Sequence, residues 1–214
     1  MIDVDLTSPS DEIFDPGRNC WRVSEAERAS LIVDAADYYE HLLSAMLAAR
    51  EQIILIGWDV DTRIRLVDGK SRDGAPTTLG ALISWIAKHR PGIKIYILVW
   101  DHGLLSLPAR GSTFLRMIRW KFDKCIEVKW DSVHPLAASH HQKTVVIDDK
   151  LAFCGGIDIT ADRWDTREHL DDDPRRRRPT TNRKYMPWHD ATMAVDGKAA
   201  RHPDCQCGRE CHKS

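Results

Sequence analysis

Apolar residues cluster into short runs along the chain, and three of these runs have the composition of β-strands. Residues 52–60, 93–101 and 125–130 are rich in β-branched side chains. The first two are almost continuously apolar, which is typical of strands buried on both faces of a sheet. The pattern therefore predicts three strands, two of them fully buried.

Between these runs, apolar residues recur with the spacing of a helix. One such segment begins after Thr78 and ends at Pro91-Gly92, and its apolar positions are Leu79, Leu82, Ile83 and Ile86. A second helix is predicted from Ser112 to Lys121. Strands that alternate with helices at this spacing predict an α/β fold with a layered sheet.

The segment before the first strand admits two interpretations. Ser24 and Glu27 can form a capping box, and a helical pattern continues from there to Ala49. Alternatively, residues 31–33 form a short extended piece, and Asp34 then caps the main helix.

From residue 140 the pattern changes to that of a hairpin. "HQKTVVI" and "LAFCGGID" alternate as two strands around a tight turn at residues 148–150, and "WHDATMAVDG" (188–197) resumes a strand pattern. The polar segment after Asp165 carries blocks of opposite charge, which predicts a solvated loop. The sharper alternative is that Arg175–Arg178 form a guanidinium cluster facing lipid phosphates.

Composition narrows the function classes. The chain has 214 residues, 43% hydrophobic and 29% charged, with a formal net charge of −1, so it can bury one sizeable core and gives no support to general polyanion binding. No apolar run approaches the roughly 18 residues of a membrane span, and residues 1–12 lack an apolar h-region, so we expect no secretory signal. We expect a cytoplasmic protein that binds no nucleic acid, either free in the cytoplasm or peripheral at a membrane.

Three regions are predicted: an irregular arm (1–19), a folded domain (20–200) and a cysteine-rich tail (201–214). The tail contains Cys205, Cys207 and Cys211, whose spacing fits no common zinc pattern well. We expect the tail to be unstructured and the protein to need no cofactor.

The candidate chemistry lies in the stretch "HHQKTVVIDD" (140–149). Because side chains alternate along a strand, His141 and Lys143 share one face, whereas His140 and Gln142 point the other way. A neutral imidazole can attack a phosphate ester, and an ammonium beside it stabilises the charge that develops on the phosphate oxygens. His141 is therefore the candidate nucleophile, although a solvated strand face is a comparably good explanation of the spacing alone.

The aspartate of the same stretch is too far away to help. Seven strand residues at about 3.3 Å each place Asp148 roughly 23 Å from His141, so we expect it to bind backbone donors at the turn. Asp190 is the first candidate for the imidazole partner and Asp158 the second.

Two further features favour a site here. Gly155-Gly156 would let a ligand approach the backbone closely. Polar and aromatic residues follow the predicted strands, where an open α/β sheet collects its ligand site, and these are Trp58, Asp59, Asp101 and His102. The tryptophans could equally be core residues.

The spacing His141-x-Lys143-x4-Asp148-x6-Gly155-Gly156 resembles the HKD motif of the phospholipase D superfamily. The segments "GGIDITADRWDTREH" and "PWHDATMAVDG" resemble the branch with the eukaryotic enzymes, and the resemblance spans about residues 15 to 200. It implies a mixed sheet flanked by helices in α-β-α layers. It also places Arg163, Trp164 and His189 among the residues expected near the substrate.

The resemblance implies a phosphodiesterase that converts phosphatidylcholine or related lipids to phosphatidic acid, or transfers the phosphatidyl group to another alcohol. His141 would form a phosphohistidine, Lys143 would bind phosphate and Asp190 would hold the imidazole. The chemistry would take place at a membrane surface on a phospholipid substrate, without a metal. Related alternatives are a nuclease or a phospholipid synthase of the same superfamily.

Members of this branch combine two HKD motifs in one site, whereas this sequence has one His-x-Lys pair. We therefore expect either a homodimer or a truncated half that needs a second motif from a missing C-terminal half. A third hypothesis is an inactive half-domain that binds phospholipid through Lys143 and the arginine run.

Overall fold

The computed structural model describes residues 13–20, 22–69, 74–100, 111–132 and 140–201. Within these ranges the chain forms seven strands, three α-helices and a short 3-10 helix at Gly197–Ala200. The strands are β1 (Ala29–Val33), β2 (Gln52–Gly57), β3 (Lys94–Trp100), β4 (Ile126–Asp131), β5 (Thr144–Ile147), β6 (Leu151–Gly155) and β7 (Ala191–Asp196). The helices are α1 (Ala35–Ala48), α2 (Leu79–His89) and α3 (Ser112–Trp120).

All seven strands belong to one mixed sheet in the order β1-β7-β6-β5-β2-β3-β4. Strands β2, β3 and β4 run parallel and are joined through α2 and α3, whereas the pairs from β2 outward to β1 are antiparallel. The predicted α/β class with a mixed sheet is confirmed. The predicted helix after Thr78 is also confirmed, as α2.

The helices cover one face of the sheet. Ile53 and Leu55 of β2 are buried with the apolar residues of α1, α2 and α3, while the alternate residues of that strand are only half-buried. The prediction of burial on both faces was therefore wrong, because an apolar run does not reveal how many layers will cover it. On the opposite face of the described residues, Ala200 of the 3-10 helix packs with Val146 and Ala152.

The N-terminal ambiguity is settled in favour of the extended alternative. Residues 22–28 are not helical, and β1 pairs along its whole length with β7. The backbone N–H of Asp34 continues this pairing by donating to the Asp190 carbonyl at 2.8 Å. The capping box at Ser24 was thus a wrong prediction, because pairing with a strand over 150 residues away outweighs local helical propensity.

The hairpin prediction is confirmed at its turn and corrected at its start. Asp148 and Asp149 have φ values of 54° and 53°, which suit a tight two-residue hairpin turn. However, β5 begins at Thr144, so His141 and Lys143 lie in the segment that leads into the strand.

Several strand ends meet on one side of the sheet, which we call the site edge and define by Asp34, Trp58, Lys143, Gly156 and Asp190. Antiparallel pairing brings the beginnings of β5 and β7 beside the ends of β2, β6 and β1. Backbone hydrogen bonds link this edge from strand to strand: Gly155 N–H to Lys143, Gly156 N–H to Ala191, and Asp34 N–H to Asp190.

Some predictions fall outside the described residues. These are most of the N-terminal arm, the tail from residue 202 onward with its three cysteines, and Asp101 and His102. Among the helices that the structure describes, none is long and apolar enough to cross a membrane.

Candidate active site

Lys143 has a buried ammonium group. Its side chain is 7% exposed, and Nζ lies 3.0 Å from Oδ2 of Asp158, whose side chain is 1% exposed. The two atoms form an ion pair, but neither has a partner with hydrogen-bond geometry in the described part of the chain. An anionic oxygen is the group that would best satisfy the N–H donors of this ammonium, since it supplies both charge and an acceptor.

Asp158 is held in place from several directions. Its Oδ1 accepts the backbone N–H groups of Trp58 at 3.1 Å and Asp59 at 3.4 Å, and its carbonyl oxygen accepts the Tyr39 hydroxyl at 2.8 Å. Burial raises the pKa of the Asp158 carboxyl above its ordinary value, although the Lys143 ammonium acts in the opposite direction. Asp158, predicted as the second candidate for the imidazole, is in contact with the ammonium instead.

His141 is exposed and lies beside the same indole ring as Lys143. Its imidazole meets the ring of Trp58 edge to face, with centroids 5.6 Å apart, and Lys143 Nζ lies 6.0 Å from the Trp58 ring. Trp58 in turn stacks on Trp100 at 5.7 Å. The neighbouring His140 turns away and contacts Asp131 at the end of β4 through Nδ1. His141 and the ammonium therefore lie against the same indole ring, with the imidazole exposed to solvent and the ammonium buried.

Asp190 occupies the site edge next to the glycine pair. Its Oδ1 accepts the Ala191 N–H at 2.7 Å, and Oδ2 accepts the Trp188 indole N–H at 3.4 Å. No hydrogen bond joins Asp190 to His141 in the described residues, so its role as imidazole partner stays a prediction.

The glycine pair accommodates protein atoms rather than making room for a ligand. A Cβ at Gly156 would lie 2.1 Å from Asp190 Oδ1, and one at Gly155 would lie 2.5 Å from the Ala191 carbonyl oxygen. The glycines thus allow β7 and the Asp190 carboxylate to approach β6 closely. The sequence predicted instead that a ligand would approach the backbone here.

Asp148 binds backbone donors, as its distance from His141 predicted. Its carboxylate accepts the N–H groups of Arg50, Glu51 and Gln52, each at 2.8 Å, where the chain enters β2. Burial acts to raise the pKa of Asp148, but these three N–H groups outweigh it and hold that pKa below its ordinary value. The motif aspartate therefore joins the hairpin turn to the start of the central strand.

The remaining residues predicted near the substrate have structural contacts of their own. Asp59 accepts the Thr160 hydroxyl at 2.7 Å, and the guanidinium of Arg163 lies 4.2 Å from the Trp188 ring. Trp164 lines a cavity of about 600 Å³, whose lining residues include neither His141 nor Lys143. His189 contacts Asp34 rather than His141.

The arginine run forms an ion-pair network with nearby aspartates. Arg176 is fully buried and donates to Asp165 at 2.8 Å, and Arg175 and Arg178 make bidentate pairs with Asp173 and Asp162. The sequence prediction of a solvated loop missed this network, although the aspartates on both sides of the run were a signal for it.

Comparison with known proteins places these features in a family. A sequence model of the family described as Phospholipase D matches residues 45–205. Phospholipase D C of Dictyostelium discoideum is 29% identical over 196 residues, which cover 79% of this chain and 12% of that protein. The chain thus spans about one-eighth of this relative.

Two solved structures resemble the fold. NucT from Helicobacter pylori has a TM-score of 0.50 and 15% identity, covering 87% of this chain and 94% of that chain. A phosphatidylserine synthase of Haemophilus influenzae Rd KW20 has a TM-score of 0.50 and 13% identity, covering 86% of this chain and 38% of that chain. At these identities the likeness concerns the fold alone.

Proposed function

Because this chain belongs to the phospholipase D family, we propose that it supplies one catalytic histidine to an enzyme that cleaves the phosphodiester bond of a glycerophospholipid. The observation that carries the proposal is the exposed His141 beside the buried Lys143 ammonium, both next to Trp58. The relatives' name supports a phospholipid substrate, and the net charge of −1 gives little attraction for a nucleic acid.

In the proposed first step, an imidazole nitrogen of His141 attacks phosphorus, an N–P bond forms and the bond to the leaving alcohol breaks. The Lys143 ammonium binds a non-bridging oxygen and stabilises the charge that develops there. Water then cleaves the phosphohistidine and releases phosphatidic acid, or a second alcohol accepts the phosphatidyl group instead.

We further propose that Asp190 orients the imidazole during this reaction. Its carboxylate lies at the site edge and is bound by the Ala191 N–H, and rotation of the side chain would release Oδ2 from its long 3.4 Å contact with Trp188. A carboxylate that accepts the second imidazole N–H would set the tautomer of His141 and stabilise the positive charge.

A second acid is needed to protonate the leaving alcohol, and the sequence contains one His-x-Lys pair. We propose that a second motif supplies this histidine, from another copy of the chain or from a further segment. If two copies assemble the site, specific activity should fall steeply when the protein is diluted below its dimerisation range. Specific activity that stays constant down to the monomer would contradict assembly from two copies.

The test measures choline release from phosphatidylcholine vesicles by the chain and two matched variants. His141→Ala should abolish release, whereas His140→Ala should retain it because His140 contacts Asp131 instead of the ammonium. Cleavage of DNA without cleavage of lipid would overturn the choice of substrate. Equal activity of the two variants would overturn the role of His141. A monomer that binds vesicles without turnover would favour the inactive phospholipid-binding alternative.

A further inference from the structure

Asp34, His169 and His189 come from three separate segments and meet at the β1 end of the site edge. One ligand atom from each residue lies within 4.8 Å of the others. Asp34 immediately precedes α1, His169 belongs to the loop after β6, and His189 lies just before β7. None of the three has a role in the phosphodiesterase proposal, so their convergence calls for its own explanation.

Asp165 determines which nitrogen of His169 carries a proton. Its carboxylate accepts N–H donors from Thr166, Trp188 and Arg176, each at 2.8 Å. Because these three donors, one of them a guanidinium, point at it, the carboxylate is an acceptor, and His169 Nδ1, at 3.2 Å, donates to it. This leaves Nε2 with a lone pair whenever the imidazole is neutral.

That nitrogen faces a buried carboxylate oxygen. His169 Nε2 lies 3.1 Å from Oδ2 of Asp34, whose side chain is 1% exposed. Oδ2 has no hydrogen-bond partner among the residues that the structure describes. A lone pair on Nε2 and a carboxylate oxygen at this distance repel each other unless a proton or a metal ion lies between them.

We propose that Asp34, His169 and His189 bind a divalent transition-metal ion of the zinc class. Zinc bonds to nitrogen and oxygen are about 2.0–2.2 Å long, so neighbouring ligands in a tetrahedral site lie roughly 3.3 Å apart. The 3.1 Å between His169 Nε2 and Asp34 Oδ2 matches this edge. Asp165, which holds the opposite nitrogen of His169, has the place of the carboxylate that commonly orients a metal-bound histidine.

His189 completes the site from the solvent side. Its Nδ1 lies 2.9 Å from Asp34 Oδ1, and its side chain is 69% exposed, so the ring can turn toward the ion. Two imidazoles and one carboxylate suit Zn²⁺, Co²⁺ or Ni²⁺ better than Mg²⁺ or Ca²⁺. The bound ion would fix the backbone of His189, and hence the adjacent Asp190, against the start of α1.

The test measures Zn²⁺ binding by equilibrium dialysis of the untagged full chain at pH 7. Cys205, Cys207 and Cys211 are first replaced by serine, because thiols bind zinc strongly and would hide the site. One ion per chain should bind. Loss of a residue that only orients a metal ligand typically weakens metal affinity by roughly 10- to 100-fold. In this background, His189→Ala and Asp34→Asn each remove a ligand, so each should weaken Zn²⁺ affinity by at least that factor. His41→Ala, which removes an exposed histidine of α1, should bind like the parent.

Thermal unfolding provides a second readout that does not depend on activity. Zn²⁺ should raise the melting temperature of the serine background and of His41→Ala, but not that of His189→Ala, because an ion stabilises only a fold that binds it. Since His189 is exposed, its variant should give the circular dichroism spectrum of the parent even if Asp34→Asn does not. Two results would overturn the proposal and show a hydrogen-bonded network only. One is that His189→Ala binds one Zn²⁺ as tightly as the parent, and the other is that the parent binds no more Zn²⁺ than His189→Ala.

Discussion

Replacing Gly156 with alanine tests how tightly the Asp190 carboxylate is held at the site edge. The new Cβ would lie 2.1 Å from Oδ1 and 2.7 Å from Cγ of Asp190, well inside van der Waals contact. The φ angle of Gly156 is not in the left-handed region, so the cost is steric. Overpacking of this kind costs about 1–3 kcal/mol. With a urea m-value of about 2 kcal/mol/M, the unfolding midpoint should fall by roughly 1 M.

A double-mutant cycle identifies the cause. Asp190→Ala removes the atoms that clash, so Gly156→Ala in that background should cost about 1–2 kcal/mol less than in the wild type. Gly155→Ala is the matched control. Its Cβ would meet the backbone of Ala191 and Thr192 at 2.5 Å, which Asp190→Ala cannot relieve. Unfolding free energies from urea titrations measure all four corners of the cycle. Additive costs for the Gly156 and Asp190 substitutions would refute the reasoning.

Three further predictions concern stability. Asp148→Asn should lower the free energy of unfolding by about 1.5–3 kcal/mol at pH 7, measured by urea titration. Since folding lowers the pKa of Asp148, this stabilisation is present above the unfolded pKa of about 3.9 and is lost as pH falls through the folded pKa. The stability of the variant should therefore approach that of the wild type in acid, and a difference that stays constant with pH would contradict this. Arg176→Met should cost about 3–5 kcal/mol by the same measurement, because it leaves the buried Asp165 charge without its guanidinium; a loss under 1 kcal/mol would argue against a tight pair. Tyr39→Phe removes the hydroxyl that donates to Asp158 and should lower the free energy of unfolding by about 0.5–1.5 kcal/mol. Each kcal/mol lost should lower the melting temperature by about 2–4 °C, and an unchanged melting temperature would count against this hydrogen bond.

Local sequence patterns were sufficient for most elements of the fold. Apolar spacing after Thr78 located α2 almost to the residue, and the aspartates at 148 and 149 located the hairpin turn. These signals are reliable because helix periodicity and left-handed turn conformations depend on neighbouring residues. The histidine followed two residues later by a lysine could also be recognised in the sequence, and it led to the family that the comparisons show.

The environment of that pair depended on contacts between distant segments. Lys143 is paired with Asp158 across the hairpin, Gly156 accommodates Asp190 from β7, and the edge strand β1 exists because β7 pairs with it. A buried charge selects whichever partner the packing brings within about 4 Å, and sequence spacing carries no information on that distance. The sequence alone therefore indicated which residue types form the site. Their partners, their burial and the cluster of Asp34, His169 and His189 were set by the order of strands in the sheet.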